Sequence, residues 1–463
     1  MSQIELINEP RQFDVEELFF STTDLKGRIQ RANSVFTRIA AYHWADMQNK
    51  PHNLIRHPDM PRVIFQVFWD YLQSGKPIVA YVKNLSHDGR YYWVLALATP
   101  MPGGYLSVRF KPTAPLRHKV EELYKDLRAI EASIEDQSHD RKAAIAASRG
   151  ALESSLQKLG FRDYDEFMRH AMKTEMESRE AKLRKTEQKV EVSLAGLDSL
   201  SAQAALFDRM VVVLETLFRD LAQYVEISQG VREKSASVAD ISESLRVSAL
   251  NGAIEADKLG TRAAGLRPVL DWLRGLSADI TTQGASFSGA LNELVNEVDL
   301  VVFDLLAAKL QLDMTATFAH EIADHAESGE SGEDIGKDAV LCLHSSSCET
   351  IRRALKRLFA MRDRLHVLSA SQMSLIHASH SLRPIYLTGR IEMAEGVGAR
   401  LASVFEDVGG QLGETADSLN GLGKLLDDLS GHLSRGLSHG DEIEEAIAQI
   451  DSRVHTAYRP AIY

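Results

Sequence analysis

Cysteine is nearly absent: Cys342 and Cys348 are the two in 463 residues. That excludes a disulfide framework and predicts a reducing, cytoplasmic setting. Long hydrophobic runs are missing too. The longest, Tyr91 to Ala98, falls far short of the ~20 residues a membrane-spanning helix needs. It is rich in aromatic residues and reads as a strand. The N-terminus has no basic-then-apolar leader layout, so a soluble protein with no membrane span is expected. Basic charge is outweighed: 53 Lys and Arg face 65 Asp and Glu, a net −12, which argues against a nucleic-acid partner. No Gly-x-x-x-x-Gly-Lys-Ser/Thr run occurs. No Ser/His/Asp or paired-carboxylate constellation stands out, so the chain is not read as an enzyme. His320 and His325 are five apart, a spacing that does not share a helix face as metal ligands would. Cys342, His344 and Cys348 lack the Cys-x-x-Cys spacing. A chain of this length exceeds one core, and two to four structural units are expected.

What the chain does have is proline in one place. Pro51-His52-Asn53-Leu54-Ile55-Arg56-His57-Pro58-Asp59-Met60-Pro61 sets two His, an Arg, an Asp and an Asn among three prolines. Proline fixes its own φ and biases the residue before it to extended geometry. The polar side chains therefore sit on a stiffened loop. Val63, Ile64, Val67, Phe68, Tyr71 and Leu72 follow at helical spacing. A rigid polar loop feeding an apolar helix suits a cofactor pocket, which is an apolar cavity with a few fixed polar groups.

Residues 1–112 read as mixed α/β. Leu18–Thr23 and Gly27–Gln30 look like two strands, and Asn33 is placed to cap an apolar helix through Val35, Phe36 and Ile39. Pro77–Lys83 and Tyr91–Thr99 are strand-like and flank a His87-Asp88-Gly89 hairpin turn. Gly104–Phe110 supplies a last strand. The order β-β-α-α-α-β-β-β predicts one small sheet with helices folded over a face.

Several runs in this segment are specific: Ser21-Thr22-Thr23-Asp24-Leu25, Ala32-Asn33, all of Pro51 to Pro61, Val82-Lys83-Asn84, Tyr92-Trp93-Val94, and Gly104 to Arg109. Together they resemble the PAS sensor domain of bacterial aerotaxis receptors, which bind FAD. The resemblance implies a flavin held by Arg56, His57, Asp59, Asn84 and Trp69, with Asn33, His52 and Asn53 beside them. Arg56 and His57 can meet a diphosphate, Asp59 can orient them, and Asn84 can bond the ring edge. Trp69 serves equally well as plain core.

Residues 113–185 are polar and helical, with Leu116, Val120, Leu123, Leu127 and Ile130 in helical period. A break near Asp136–Asp140 and two further helices, 142–158 and 163–180, complete a small adaptor. From residue 186 on, almost everything is helical. Ile227, Val231, Val238, Ile241 and Leu245 form a heptad seam that Lys234 interrupts. Leu266, Val269, Leu273, Leu276 and Ile280 return from a turn at 249–261. That turn resembles the hairpin tip of methyl-accepting chemotaxis receptors, which binds a histidine kinase and its coupling protein. The resemblance implies partner contacts at Asn251, Glu255, Lys258 and Arg262. The tip departs from the family at Asp257, Lys258, Thr261, Leu266, Pro268 and Trp272, and pairs of Glu or Gln at the methylation spacing are not evident.

Ser244-Leu245-Arg246…Leu250-x-Gly252-x-Ile254-Glu255 recurs as Ser381-Leu382-Arg383…Leu387-x-Gly389-x-Ile391-Glu392. The second copy gives Glu392 as a further partner residue and has leucine seams of its own. The chain thus divides into a PAS sensor domain (1–112), an adaptor (113–185), hairpin one (186–325), a flexible acidic connector (326–340) and hairpin two (341–463). The fold class is an α+β PAS domain followed by a long all-α antiparallel coiled coil or four-helix bundle. The bundle forms either within one chain, as a pseudo-dimer, or between two chains of a homodimer. The function read from this is an FAD-binding redox or oxygen sensor controlling taxis. The alternative is a flavin-free scaffold whose tips bind another regulator.

Overall fold

The computed structural model describes residues 4–186, most of 227–260, 265–327, 333–393 and 399–457. The N-terminal part holds β1 (Phe19–Asp24), β2 (Ile29–Ala32), α1 (Ser34–Ala40), α2 (Trp44–Met47), a 3-10 turn (His52–Ile55), α3 (Arg62–Gln73), β3 (Ile78–Leu85), β4 (Tyr91–Met101) and β5 (Gly104–Phe110). The strands form one antiparallel sheet in the order β2-β1-β5-β4-β3. β2 starts later than the sequence suggests because Asp24 Oδ1 accepts from the backbone of Lys26 and Arg28, tying residues 24–28 into a turn. Asn33 sits at the N-cap position of α1, but its side chain makes no cap bond. The capping role read for it is corrected. Its Oδ1 accepts from Phe20 N and its Nδ2 donates to the Leu18 carbonyl, holding the start of β1.

β3 and β5 are buried along their whole length. One face packs on α3. The other receives α4 (Leu116–Ser138) and α6 (Tyr164–Thr186), while α5 (Arg141–Lys158) packs on α4 and α3. Tyr124 on α4 and Tyr164 on α6 donate to the Tyr81 and Val79 carbonyls. Asp140 caps α5 by accepting from Lys142 N and Ala143 N.

The remaining helices are α7, built from the described residues of 227–258, α8 (Arg267–Glu327), α9 (Glu333–Met393) and α10 (Ala399–Ala457). None is long and apolar enough to cross a membrane among the described residues. Of the connector read at 326–340, 326–327 end α8 and 333–340 begin α9, and 328–332 lie outside the described residues.

The chain separates into two compact units. The first comprises Met1–Glu215, Phe303–Arg353 and Glu442–Tyr463; the second comprises Thr216–Val302 and Ala354–Asp441. In the first, α8 and α9 close the sheet's second face. Phe318 meets Phe20 edge-on at 4.8 Å, and the fully buried Gln311 donates to Thr99 Oγ1 and Ser346 Oγ. In the second, Val231, Val238 and Leu245 of α7, Leu273, Ile280 and Leu291 of α8, Leu365, Leu375 and Leu382 of α9, and Leu419, Leu426 and Leu433 of α10 are buried. All four helices thus turn an apolar stripe inward. The repeat's matching glycines have a shared reason. A Cβ on Gly252 would come within 3.0 Å of Leu270, and one on Gly389 within 2.1 Å of Phe405.

Candidate ligand cavity

β5 alternates. Tyr105, Ser107 and Arg109 point to one side, and Leu106, Val108 and Phe110 to the other, as strand geometry dictates. The first set lines a cavity of about 410 Å³ together with Ala96 and Ala98 of β4, Val82 and Asn84 of β3, and Ser21 and Thr23 of β1. Alanines on β4 leave room where larger residues would fill the space. α3 closes the cavity with Phe65, Phe68, Trp69 and Leu72, and the proline-framed loop adds His52, Asn53 and Arg56. The volume and the apolar wall with few polar groups suit a small-molecule site.

Of the residues singled out from the sequence, His52, Asn53, Arg56, Trp69 and Asn84 meet around this cavity. Trp69 stands edge-on to Tyr105 at 5.4 Å. Gly27, at φ +74°, lies against the Trp69 ring: a Cβ there would fall 2.9 Å from it. Arg56 stacks over Phe65 at 4.2 Å and donates to the Met60 carbonyl. Burial, then the nearby Arg62 charge, bring its pKa down to about 10.

Asn33, His57 and Asp59 are not among the residues that line the cavity. After the 3-10 turn the loop pairs with β3, with Arg56 opposite Asn84 and His57 N donating to the Lys83 carbonyl. Strand alternation turns Asn84 toward the cavity and Lys83 away from it. His57 and Asp59 follow Lys83. Asp59 bonds Lys83 Nζ at 2.6 Å, and the Asp59 backbone N–H donates to His57 Nδ1. Burial raises the Asp59 pKa, but the Lys83 hydrogen bond and the neighbouring positive charge outweigh it and hold the carboxyl low.

Sequence reasoning missed Arg109, Ser107, Ser21 and Lys26. A signal for the first two existed: polar residues at alternate positions of an otherwise apolar strand. Arg109 donates to His52 Nε2 at 2.7 Å and to Ser21 Oγ at 3.0 Å. Burial, then the Arg109 charge, push the His52 pKa from 6.5 down to about 3. The sign follows. Below pH ~6.5 the unfolded chain takes a proton at His52 and the folded chain does not, so stability present above that pH is lost as the pH falls. Flavin-free protein is expected to lose about 2 kcal/mol of His52-linked stability between pH 7 and 5. Denaturant melts at both pH values check this, and His52→Gln should remove that part of the slope; an equal slope in wild type and variant would refute it.

The tip residues lie elsewhere. Asn251 and Lys258 are exposed on α7, and Lys258 pairs with Glu255 at 2.7 Å. Glu392 falls in the last turn of α9, and Arg262 lies outside the described residues. Leu250, Ile254 and Trp272 of the first copy are exposed, as are Leu387 and Ile391 of the second. No group of three or more His, Cys, Asp or Glu that could hold a metal occurs among the described residues.

The sheet order and the cavity between α3 and the sheet agree with the family comparison: a model described as "PAS fold" matches residues 29–105. This part of the chain is a PAS domain. A stretch of 114 residues is 42% identical to the "Aerotaxis receptor" of Escherichia coli strain K12, covering 24% of this chain and 22% of that protein. The chain thus spans about a fifth of the length of the curated relative it matches, and the likeness belongs to the PAS domain's end of the molecule. The long helical region follows it.

Proposed function

We propose that the chain is an energy or redox sensor in which the PAS domain holds FAD and the helical region passes the signal to taxis or motility control. The cavity carries this reading, because its lining combines an apolar slot with cations at the mouth, in a segment 42% identical to an aerotaxis receptor. Lys26 is exposed and Arg56 half-buried, so both can meet a hydrated diphosphate. The Asn84 side chain makes no hydrogen bond among the described residues and is 3% exposed, which leaves its amide for a ring edge. Trp69 and the phenylalanines of α3 supply flat apolar contact. Bound FAD would supply a ring whose charge and protonation change with redox state.

The residues around the cavity reach outward. α3 lines the cavity, and its first turn is held by Glu131 of α4, which accepts from Arg62 N and Val63 N. β3 bears Asn84, and its Tyr81 donates to Glu175 of α6 at 2.9 Å. Glu175 also accepts from Thr113 N and Ala114 N, where the sheet passes into α4. Burial raises its pKa against those donors. A shift at Asn84 or α3 therefore has direct polar routes to α4 and α6. In the helical region, the exposed apolar residues of the two tips suit a protein partner. A chemotaxis histidine kinase with its coupling protein is the partner proposed.

Purified protein should be yellow, with a flavin absorption spectrum and FAD in the heat-released extract. Arg56→Ala should weaken FAD binding by roughly tenfold or more, since a charge-assisted contact contributes ~1.5–3 kcal/mol. Colourless protein that does not take up added FAD would favour the flavin-free scaffold.

A further inference from the structure

The inner wall of the cavity carries a positive charge that no carboxylate balances among the described residues. Arg109 is 4% exposed. Its partners are neutral: Ser21 Oγ, His52 Nε2 and the Ser107 carbonyl accept from it, and Phe36 lies 5.2 Å from the guanidinium. His52 cannot compensate the charge, because its Nε2 is the acceptor in that bond. Beside it, Ser107 Oγ is buried on the same cavity wall without a hydrogen-bond partner. A buried cation without a counter-charge is costly, and here it faces a cavity, not packed core.

The two ends of the cavity differ. At the mouth, Lys26 and Arg56 remain in reach of water, and that is where a diphosphate keeps its hydration. The charge at Arg109 is set too deep for it and lies on the wall bearing Ala96, Ala98 and Tyr105, which a flat ring would face. We infer that Arg109, with Ser107, is a receptor for negative charge on the ring of a bound flavin and so sets its redox poise. The inference rests on the flavin reading above and deepens it. The oxidised ring is neutral. It takes up two electrons and one proton to give a reduced ring with one negative charge. A fixed cation in a water-poor site binds the second form more tightly than the first, and this difference in affinity raises the midpoint potential.

The test is a reductive titration with dithionite as electron donor and water as proton source, at saturating FAD, on wild type, Arg109→Gln, Arg109→Lys and Ser107→Ala. Arg109→Gln should lower the ratio of reduced to oxidised affinity at least tenfold, a fall of ~30 mV for a two-electron couple. Arg109→Lys keeps the charge and should restore most of it. Ser107→Ala removes one donor from an otherwise intact wall and should shift the potential the same way by less. A purely structural Arg109 would weaken both redox forms equally, so an unmoved potential in Arg109→Gln and Ser107→Ala overturns the inference while leaving flavin binding in place. Wild-type protein that binds no flavin overturns both readings, and is seen before any variant is titrated.

Discussion

Glu131→Ala is expected to lower unfolding stability by about 2–6 kcal/mol, because it strands one buried and one part-buried N–H group at ~1–3 kcal/mol each. Glu131 is fully buried on α4, and its two oxygens accept from Arg62 N at 2.8 Å and Val63 N at 2.9 Å. These are orphan donors of the first turn of α3, where no residue of α3's own N-terminus supplies a side-chain cap. A carboxylate there also meets the positive end of the helix dipole. Glu135, one turn on, pairs with Arg62 at 2.6 Å and extends the same contact. Since α3 contributes Phe65, Phe68, Trp69 and Leu72 to the cavity, the loss should appear twice: as a lower urea midpoint and as weaker FAD retention. Glu131→Gln keeps an acceptor and should lose less on both counts. If Glu131→Ala shifts stability by under ~1 kcal/mol, water replaces the cap and α4 does not hold α3.

Glu131 also marks where sequence reading stopped. The PAS part was legible because each strand had a local signal. Gly104–Phe110 is a strand over the range read for it, and the His87-Asp88-Gly89 turn joins β3 to β4. The proline-framed loop announced itself by composition, yet which of its residues would face the cavity depended on its pairing with β3. That pairing is non-local, and it carried His57 and Asp59 to the other side with Lys83. Glu131 looks like an ordinary charged residue in a helix, and Arg109 shows only as one of two polar residues at alternate positions of a strand. Their roles come from burial, which needs the tertiary contacts. Long-range packing also explains why α8 and α9 return to the sheet through Gln311 and Phe318, a contact no periodicity reveals. The seam of α7 shows the reverse case. Lys234 interrupts its heptads, and the reason lies on α10: a Cβ on Gly421 would come 3.4 Å from Lys234 Cε, so the aliphatic stem covers the space a glycine leaves.

A cysteine pair at 237 and 418 is expected to close within one chain and to stabilise the second unit by about 5 kcal/mol in the chain-entropy account of such a large loop. Ser237 on α7 and Ser418 on α10 bring their hydroxyl oxygens to 3.4 Å. Gly421, one turn along, faces Lys234, and Gly230 faces Leu425 at 3.4 Å from an added Cβ, so the two helices stay in register over several turns. α7 belongs to the first hairpin and α10 to the second, so a bond between them joins the repeats. Here tethering holds the second hairpin at an effective concentration of about millimolar, which should outcompete a second chain. The experiment uses the full chain with Cys342→Ser and Cys348→Ala, oxidised at high dilution and run without reductant. Monomer-sized, faster-migrating protein whose thermal midpoint rises on oxidation supports the single-chain bundle. Adducts of two chains, forming in preference even at high dilution, would show that the hairpins pair between subunits.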